Sequence, residues 1–362
     1  MTFEDGVAAV AKLGVTERQA RFLVTVMRHS GLCVPRQFAT FAGTAYGHKV
    51  SRFFERLVKR GYATECGCVH NRAALYHVRH QALYRAIGHP ESRYRRLVSA
   101  GHAVNRLMRL DAVITSGDLH WLGSDDERVA FFRLVAPSHP SERLPHTVVN
   151  VPSSSRVKLF PEGLPIGVAP TGRVVFVLVM PMSHGDFCAC LQRHAALLGA
   201  LPGWTLRLVF DRNAASRAAD FETEAREELT RQLSAGSFAE FTWYCRERQS
   251  ATNTRVRAEA DERFWRAHRA FATPRYELLY RRWLTDGDSV FDLVSSSAIG
   301  DALDRGTGRI ESQILPFSYR HLAPLVALHS SSEGVEEGER TPARPQPRSA
   351  SSLQLAESLT NN

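Results

Sequence analysis

The chain has 362 residues, 44% hydrophobic and 23% charged, with a formal net charge of +9. That length suggests two or three folding units. No apolar run approaches the roughly 18–20 residues that cross a bilayer, and the first residues carry acids rather than a basic start, so neither a membrane span nor a signal peptide is expected. Six cysteines without regular spacing do not make a disulfide framework, and a reducing, cytoplasmic setting fits them. The charge is unevenly placed. Residues 1–110 hold 15 Arg and 3 Lys against 6 acids, a balance of +12, whereas the rest holds 28 basic and 31 acidic residues, a balance of −3. A basic segment joined to a near-neutral one is the electrostatic footprint of a nucleic-acid binder.

In chain order, Thr16 and Glu17 open a first helix, with Phe22, Leu23, Val26 and Met27 at helical spacing and Gly31 as its stop. A short second helix begins after Val34, with Pro35 in its first turn and Gly43 at its end. The third runs from about Tyr46 to Arg60. Its apolar set is Val50, Phe53, Phe54, Leu57 and Val58; its other face carries His48, Lys49, Ser51, Arg52, Arg56 and Lys59, with Glu55 as its single acid. Two strands, "YATEC" and "ALYHV", then flank the polar turn "GCVHNR". Helix, helix, helix, hairpin is the order of a winged helix-turn-helix, whose third helix enters the major groove while the wing follows the backbone or minor groove. His70, Asn71 and Arg72 would then be the donors at the wing tip. Cys66, Cys68 and His70 alternate along one side of a strand and offer three of the four ligands of a structural zinc site, with Cys33, His48 and His77 as the nearest further candidates; the wing-tip reading is the more economical.

Residues 57–78, with Leu57, Gly61, Tyr62 and the "LYHV" of Leu75 to Val78, together with the helices before them, resemble the winged-helix start of the replication-relaxation family of bacterial mobile elements. The resemblance covers roughly the first 80 residues and implies DNA binding on plasmids or integrated elements. Beyond it, "ESRYRRLVSAGHAVNRLMRLDAVI" reads as a helix starting at Pro90 and Glu91, with Tyr94, Leu97, Val98, Val104, Leu107 and Met108 as its buried stripe. Arg93, Arg95, Arg96, Arg106 and Arg109 lie largely off that stripe.

The middle of the chain offers strands at "HTVVNV", "RVKLF", "LPIGV" and "RVVFVLVMP", a helix at "DFCACLQRHAALLGAL", a strand at "WTLRLVF", a helix at "AADFETEAREELTRQL" and a strand at "FAEFTWYC", followed by a helical part. This order is similar to that of the restriction-endonuclease-like PD-(D/E)XK core, which resemblance implies a carboxylate on one strand and a Glu/Asp-x-Lys on the next, holding Mg²⁺. Glu162 is the one acid at the first position, but "VVFVLVM" is apolar at every place the second requires; carry-over of the catalytic residues fails, and Glu162 taken alone reads as a solvated turn acid. Cys188 and Cys190, two apart on a helix, face apart and make a poor metal pair, and Asp186 before them reads as a helix cap. No Gly-rich phosphate loop or nucleophile elbow occurs.

The expected fold is thus α+β: a winged helix-turn-helix over residues 1–80, connecting helices over 81–115, an α/β region with a mixed sheet and a helical end over 116–330, and a disordered tail over 331–362. The expected function is double-stranded DNA binding as a regulator or replication/transfer accessory factor, with no cofactor, no membrane partner and no small-molecule substrate; a homodimer is compatible. The alternatives are a metal-dependent nuclease built on the middle region and an interaction scaffold that binds no DNA.

Overall fold

Capping chemistry sets the helix boundaries of the first third. The structure, a computed structural model, describes residues 1–322 except 69–72, 97–98, 140, 142–143, 152–153, 181, 232–234, 252–261, 273 and 292–295; the tail expected over 331–362 lies outside the described residues. Thr2 and Asp5 form a capping box that opens α1 (Phe3–Ala11), a helix not expected from the sequence, and Thr16 with Gln19 does the same for α2 (Glu17–His29). The chain turns at Gly31, φ +72°, where a Cβ would come within 2.4 Å of the Tyr94 carbonyl oxygen. It continues into β1 (Leu32–Cys33), then α3 (Pro35–Ala42) and α4 (His48–Lys59). β2 (Ala63–Gly67) and β3 (Ala74–Val78) form the expected hairpin, and β1 adds to it, giving an antiparallel sheet in the order β1-β3-β2. Two-residue β1 carries no alternation for a sequence reading to detect.

Phe22, Phe38, Phe53 and Phe54 interlock beneath these helices, with ring centroids 5.1 Å (Phe22–Phe38), 4.4 Å (Phe38–Phe53) and 5.1 Å (Phe53–Phe54) apart. Burying one such ring contributes roughly 2–3 kcal/mol. An eight-residue helix such as α3 is too short to persist by propensity, so this aromatic packing is what holds it.

Between residues 81 and 115 the boundaries differ from expectation. α5 (Gln81–Ala86) is followed by a single 3₁₀ turn, Arg93–Arg95, and α6 (Ala100–Thr115) starts after Ser99 rather than at Pro90. The Ser92 hydroxyl caps the short turn and Arg96 is extended, which breaks the helix. Leu97 and Val98 lie outside the described residues. α6 buries Ala103, Leu107, Leu110, Asp111 and Ala112, because α2, α3 and β1 cover it on one side and the larger sheet on the other.

That larger sheet makes the fold a mixed α+β one. Its order is β10-β9-β8-β7-β4, from β4 (His120–Trp121), β7 (Ile166–Val168), β8 (Val174–Val179), β9 (Trp204–Phe210) and β10 (Gly308–Ile314). β8, β9 and β10 are parallel; β7 and β4 are antiparallel to their neighbours. β5 (His146–Val151) and β6 (Ser154–Leu159) pair as a separate hairpin. β8 is buried along its whole length, as a strand covered on both faces must be. Val175, Val177 and Val179 face α6, whereas Val174, Phe176 and Leu178 face a second core built with α8 (His184–Ala200), α9 (Ala218–Thr230) and α13 (Ala298–Asp304). α7 (Asp125–Val135) adds Phe132 to that core.

The strand expected at "FAEFTWYC" is instead part of α10 (Ala235–Ala251). Its Phe241, Tyr244 and Cys245 pack at helical spacing onto α11 (Glu262–Ala270) and α12 (Pro274–Asp286), in a satellite core with Phe271, Tyr280 and Phe291. The third parallel strand is β10, whose "GRIESQI" is too polar to announce itself; it is a half-exposed edge. No helix among the described residues is long and apolar enough to cross a membrane.

Candidate nucleic-acid interface

α4 buries Val50, Phe53, Phe54 and Leu57 and exposes His48, Lys49, Arg52, Glu55, Arg56 and Lys59, with Ser51 half-buried. Val58, expected in the apolar set, is 36% exposed and joins the outer face. Among the described residues no acid lies within ion-pairing distance of Lys49, Arg52, Arg56 or Lys59. The helix is anchored at both ends. Gly43, at φ +61°, turns the chain from α3 toward it, and the Arg60 guanidinium donates to the carbonyls of Leu13 (3.2 Å) and Gly14 (2.7 Å). No side chain caps its first turn, where Gly47 is the N-cap, so its leading amides are open to an anion. They border a cleft of about 870 Å³ shared with the start of α2, lined by Thr16, Arg18, Tyr46, His48 and Lys49; Tyr46 is 65% exposed. The cleft is a tertiary product that spacing along the chain does not signal.

The other candidates have separate fates. His70, Asn71 and Arg72 lie outside the described residues; the hairpin pairs as far as Gly67 with Ala74, and the Cys68 amide donates to the Ala73 carbonyl. Cys66 and Cys68 both turn inward to the core shared with Leu75 and Leu107, and burial raises both thiols. Among the described residues neither belongs to a group of three ligands that one ion can reach. Cys33 contacts the Tyr76 carbonyl, and His77 Nε2 lies 2.9 Å from the Tyr94 carbonyl. Glu162 is not the solvated turn acid expected. Its side chain is 12% exposed and forms an ion pair with Arg193 of α8. It faces Cys190 and His194, and β8 beside it carries no carboxylate or lysine, only Val, Leu and Phe.

Much of the N-terminal positive charge is satisfied internally. Arg21 pairs with Glu4 (2.6 Å) and Glu17, Arg28 with Glu127, and Arg36 grips buried Asp111 with two hydrogen bonds of 2.7 and 2.8 Å. Arg106 and Arg109, expected off the buried stripe, turn toward Tyr94: the Arg106 guanidinium sits 5.2 Å from its ring centroid, and Arg93 (3.2 Å) and Arg109 (3.5 Å) donate to its hydroxyl. Burial raises the Tyr94 phenol, but Arg109 and Arg93 outweigh it and pull it down to about 8. The outward cations of α4 are therefore a better guide to a partner than the +12 balance.

A different site lies at the start of α8, where Ser183, not Asp186, caps the helix. His184 and Cys188 there meet Glu224 of α9. Burial, then the carboxylates of Glu228 and Glu224, push the Cys188 thiol up to about 12.

No protein-family model matches this chain, and no curated protein or solved structure is similar enough to match it.

Proposed function

We propose that the N-terminal 80 residues act as a winged helix-turn-helix that binds duplex DNA, with α4 in the major groove. The observation that carries this reading is the outer face of α4, where Lys49, Arg52, Arg56 and Lys59 have no acid partner among the described residues. A helix of this diameter fits the major groove, and such side chains reach phosphates and guanine edges. The three-stranded sheet behind α4, whose β2–β3 hairpin would be the wing, agrees with the element order. The wider role, a regulator or replication/transfer accessory factor of a bacterial mobile element, rests on the resemblance of residues 57–78 to the replication-relaxation family.

The test is a salt titration of the full chain on duplex DNA, because α6 is shared between the N-terminal elements and the larger sheet. Each neutralised phosphate contributes about −0.9 to the log–log slope. The double variant Arg52→Ala, Arg56→Ala is expected to bind more weakly and to flatten that slope by about 1–2. Absent binding at low salt, or a slope the double variant leaves unchanged, refutes the reading.

A further inference from the structure

The first turn of α8, the middle of α9 and Arg275 and Tyr276 of α12 line a cavity of about 210 Å³ on the face of the sheet opposite α6. His184 and Cys188 are four apart on α8 and therefore lie on one face of it; Glu224 comes from α9. Cys188 Sγ is 3.8 Å from His184 Nε2 and 3.8 Å from Glu224 Oε1, and His184 Nδ1 contacts the same carboxylate oxygen. One donor atom from each residue can be chosen so that all three lie within 4.8 Å of one another. In a tetrahedral zinc site, bonds of about 2.3 Å to sulfur and about 2.0 Å to nitrogen or oxygen separate the donors by roughly 3.5 Å. The sulfur distances are within a few tenths of an ångström of that figure.

Charge and hardness point to the same ion. Around the cavity, Glu228 faces Arg275 and Glu227 faces Arg231, each pair at 3.9 Å. That leaves the Glu224 carboxylate, whose one ion-pairing contact among the described residues is the candidate ligand His184, and the Cys188 thiol, whose proton zinc displaces to solvent on binding: two negative charges for one divalent cation. Sulfur with imidazole suits zinc; magnesium and calcium take oxygen. His184 is exposed, which gives an ion a way in, while Cys188 is buried. The neighbouring group of Glu162, Cys190 and His194 lacks these features: Arg193 holds Glu162, His194 Nδ1 lies 2.9 Å from the Cys190 carbonyl, and the space beside them is about 10 Å³ with an almost wholly apolar lining.

We propose that His184, Cys188 and Glu224 form a zinc site that ties the start of α8 to α9 and leaves a fourth coordination position to water. The test strips the full chain with a chelator, reloads it with Zn²⁺ for elemental analysis, and in parallel with Co²⁺ for absorption spectroscopy. Stoichiometric zinc is expected, with a sulfur-to-cobalt charge-transfer band that Cys188→Ser abolishes and Cys190→Ser preserves. His184→Ala, at an exposed position, and Glu224→Gln are expected to lower zinc retention with an unchanged circular dichroism spectrum, which separates ligand loss from unfolding. No retained metal, a band that survives Cys188→Ser, or zinc content indifferent to both His184→Ala and Glu224→Gln overturns the proposal.

Discussion

Several arginines in the first hundred residues are turned inward by a carboxylate, a carbonyl or a hydroxyl within reach. Arg60, the C-cap of α4, has two carbonyls and clamps the α1–α2 loop; Arg52 and Arg56 on that helix have no such partner among the described residues and face outward. Composition counts these residues alike. Gly31 is a residue whose neighbour is even further away in sequence: its positive φ and the Tyr94 carbonyl 2.4 Å from any added Cβ both exclude a side chain. Gly31→Ala is therefore expected to destabilise by about 1–3 kcal/mol, read from urea unfolding; an unchanged midpoint would mean that the turn relaxes freely. Glu162 illustrates the converse error. A turn acid beside Pro161 and Gly163 looks solvated in sequence, yet α8 brings Arg193 onto it.

At the scale of elements, α3 is locked to α6 and to the chain after β10. Gln37 Nε2 donates to the Leu107 carbonyl at 2.9 Å. Buried Asp111 accepts from Arg36 twice and from the Tyr319 hydroxyl at 2.6 Å, and Arg36 lies 3.7 Å over the Phe317 ring. Removing one partner of a buried pair strands the other, at a cost of about 3–5 kcal/mol. Asp111→Ala is expected near the lower end, because Arg36 keeps some contact with water and its ring contacts. Thermal unfolding of the full chain measures it; a loss below about 1 kcal/mol would show that the pair is no stronger than a surface one. α2, α3, α4 and the β2–β3 hairpin were legible because caps, glycines and a 3.6-residue stripe are local signals, whereas α1 and the true start of α6 were not read. "FAEFTWYC" misled because aromatic residues favour strands, and only packing against Phe271 and Phe291 makes that segment helical.

Across the molecule, three buried histidines among the described residues sit on different elements. Burial, reinforced by Arg128 and Arg28, depresses His29 to about 3; burial likewise depresses His77 to about 4 and His194 to about 4. Each therefore stays neutral in the folded chain while its unfolded counterpart, near 6.5, takes up a proton first. The stability these histidines contribute is full above pH 6.5 and is lost as the pH drops toward 4. A tenfold loss of proton affinity on folding corresponds to about 1.4 kcal/mol, so a single such group outweighs a surface ion pair. The melting temperature is expected to decline steeply between pH 6.5 and 4, and His29→Phe, which keeps a ring against Trp121, should make that decline shallower. Parallel curves for the two proteins would argue that His29 protonates without penalty. By itself the sequence determined which segments are helical around α4, which side of α4 is polar and that β8 is a strand, since each is a pattern within one element. Only the tertiary structure decided which arginines stay outward, that Glu162 is paired, that β10 completes the sheet and that His184 and Cys188 meet Glu224. Those outcomes depend on side chains brought together from distant positions, and their distances are set by how α6, α8 and α9 pack on the sheet.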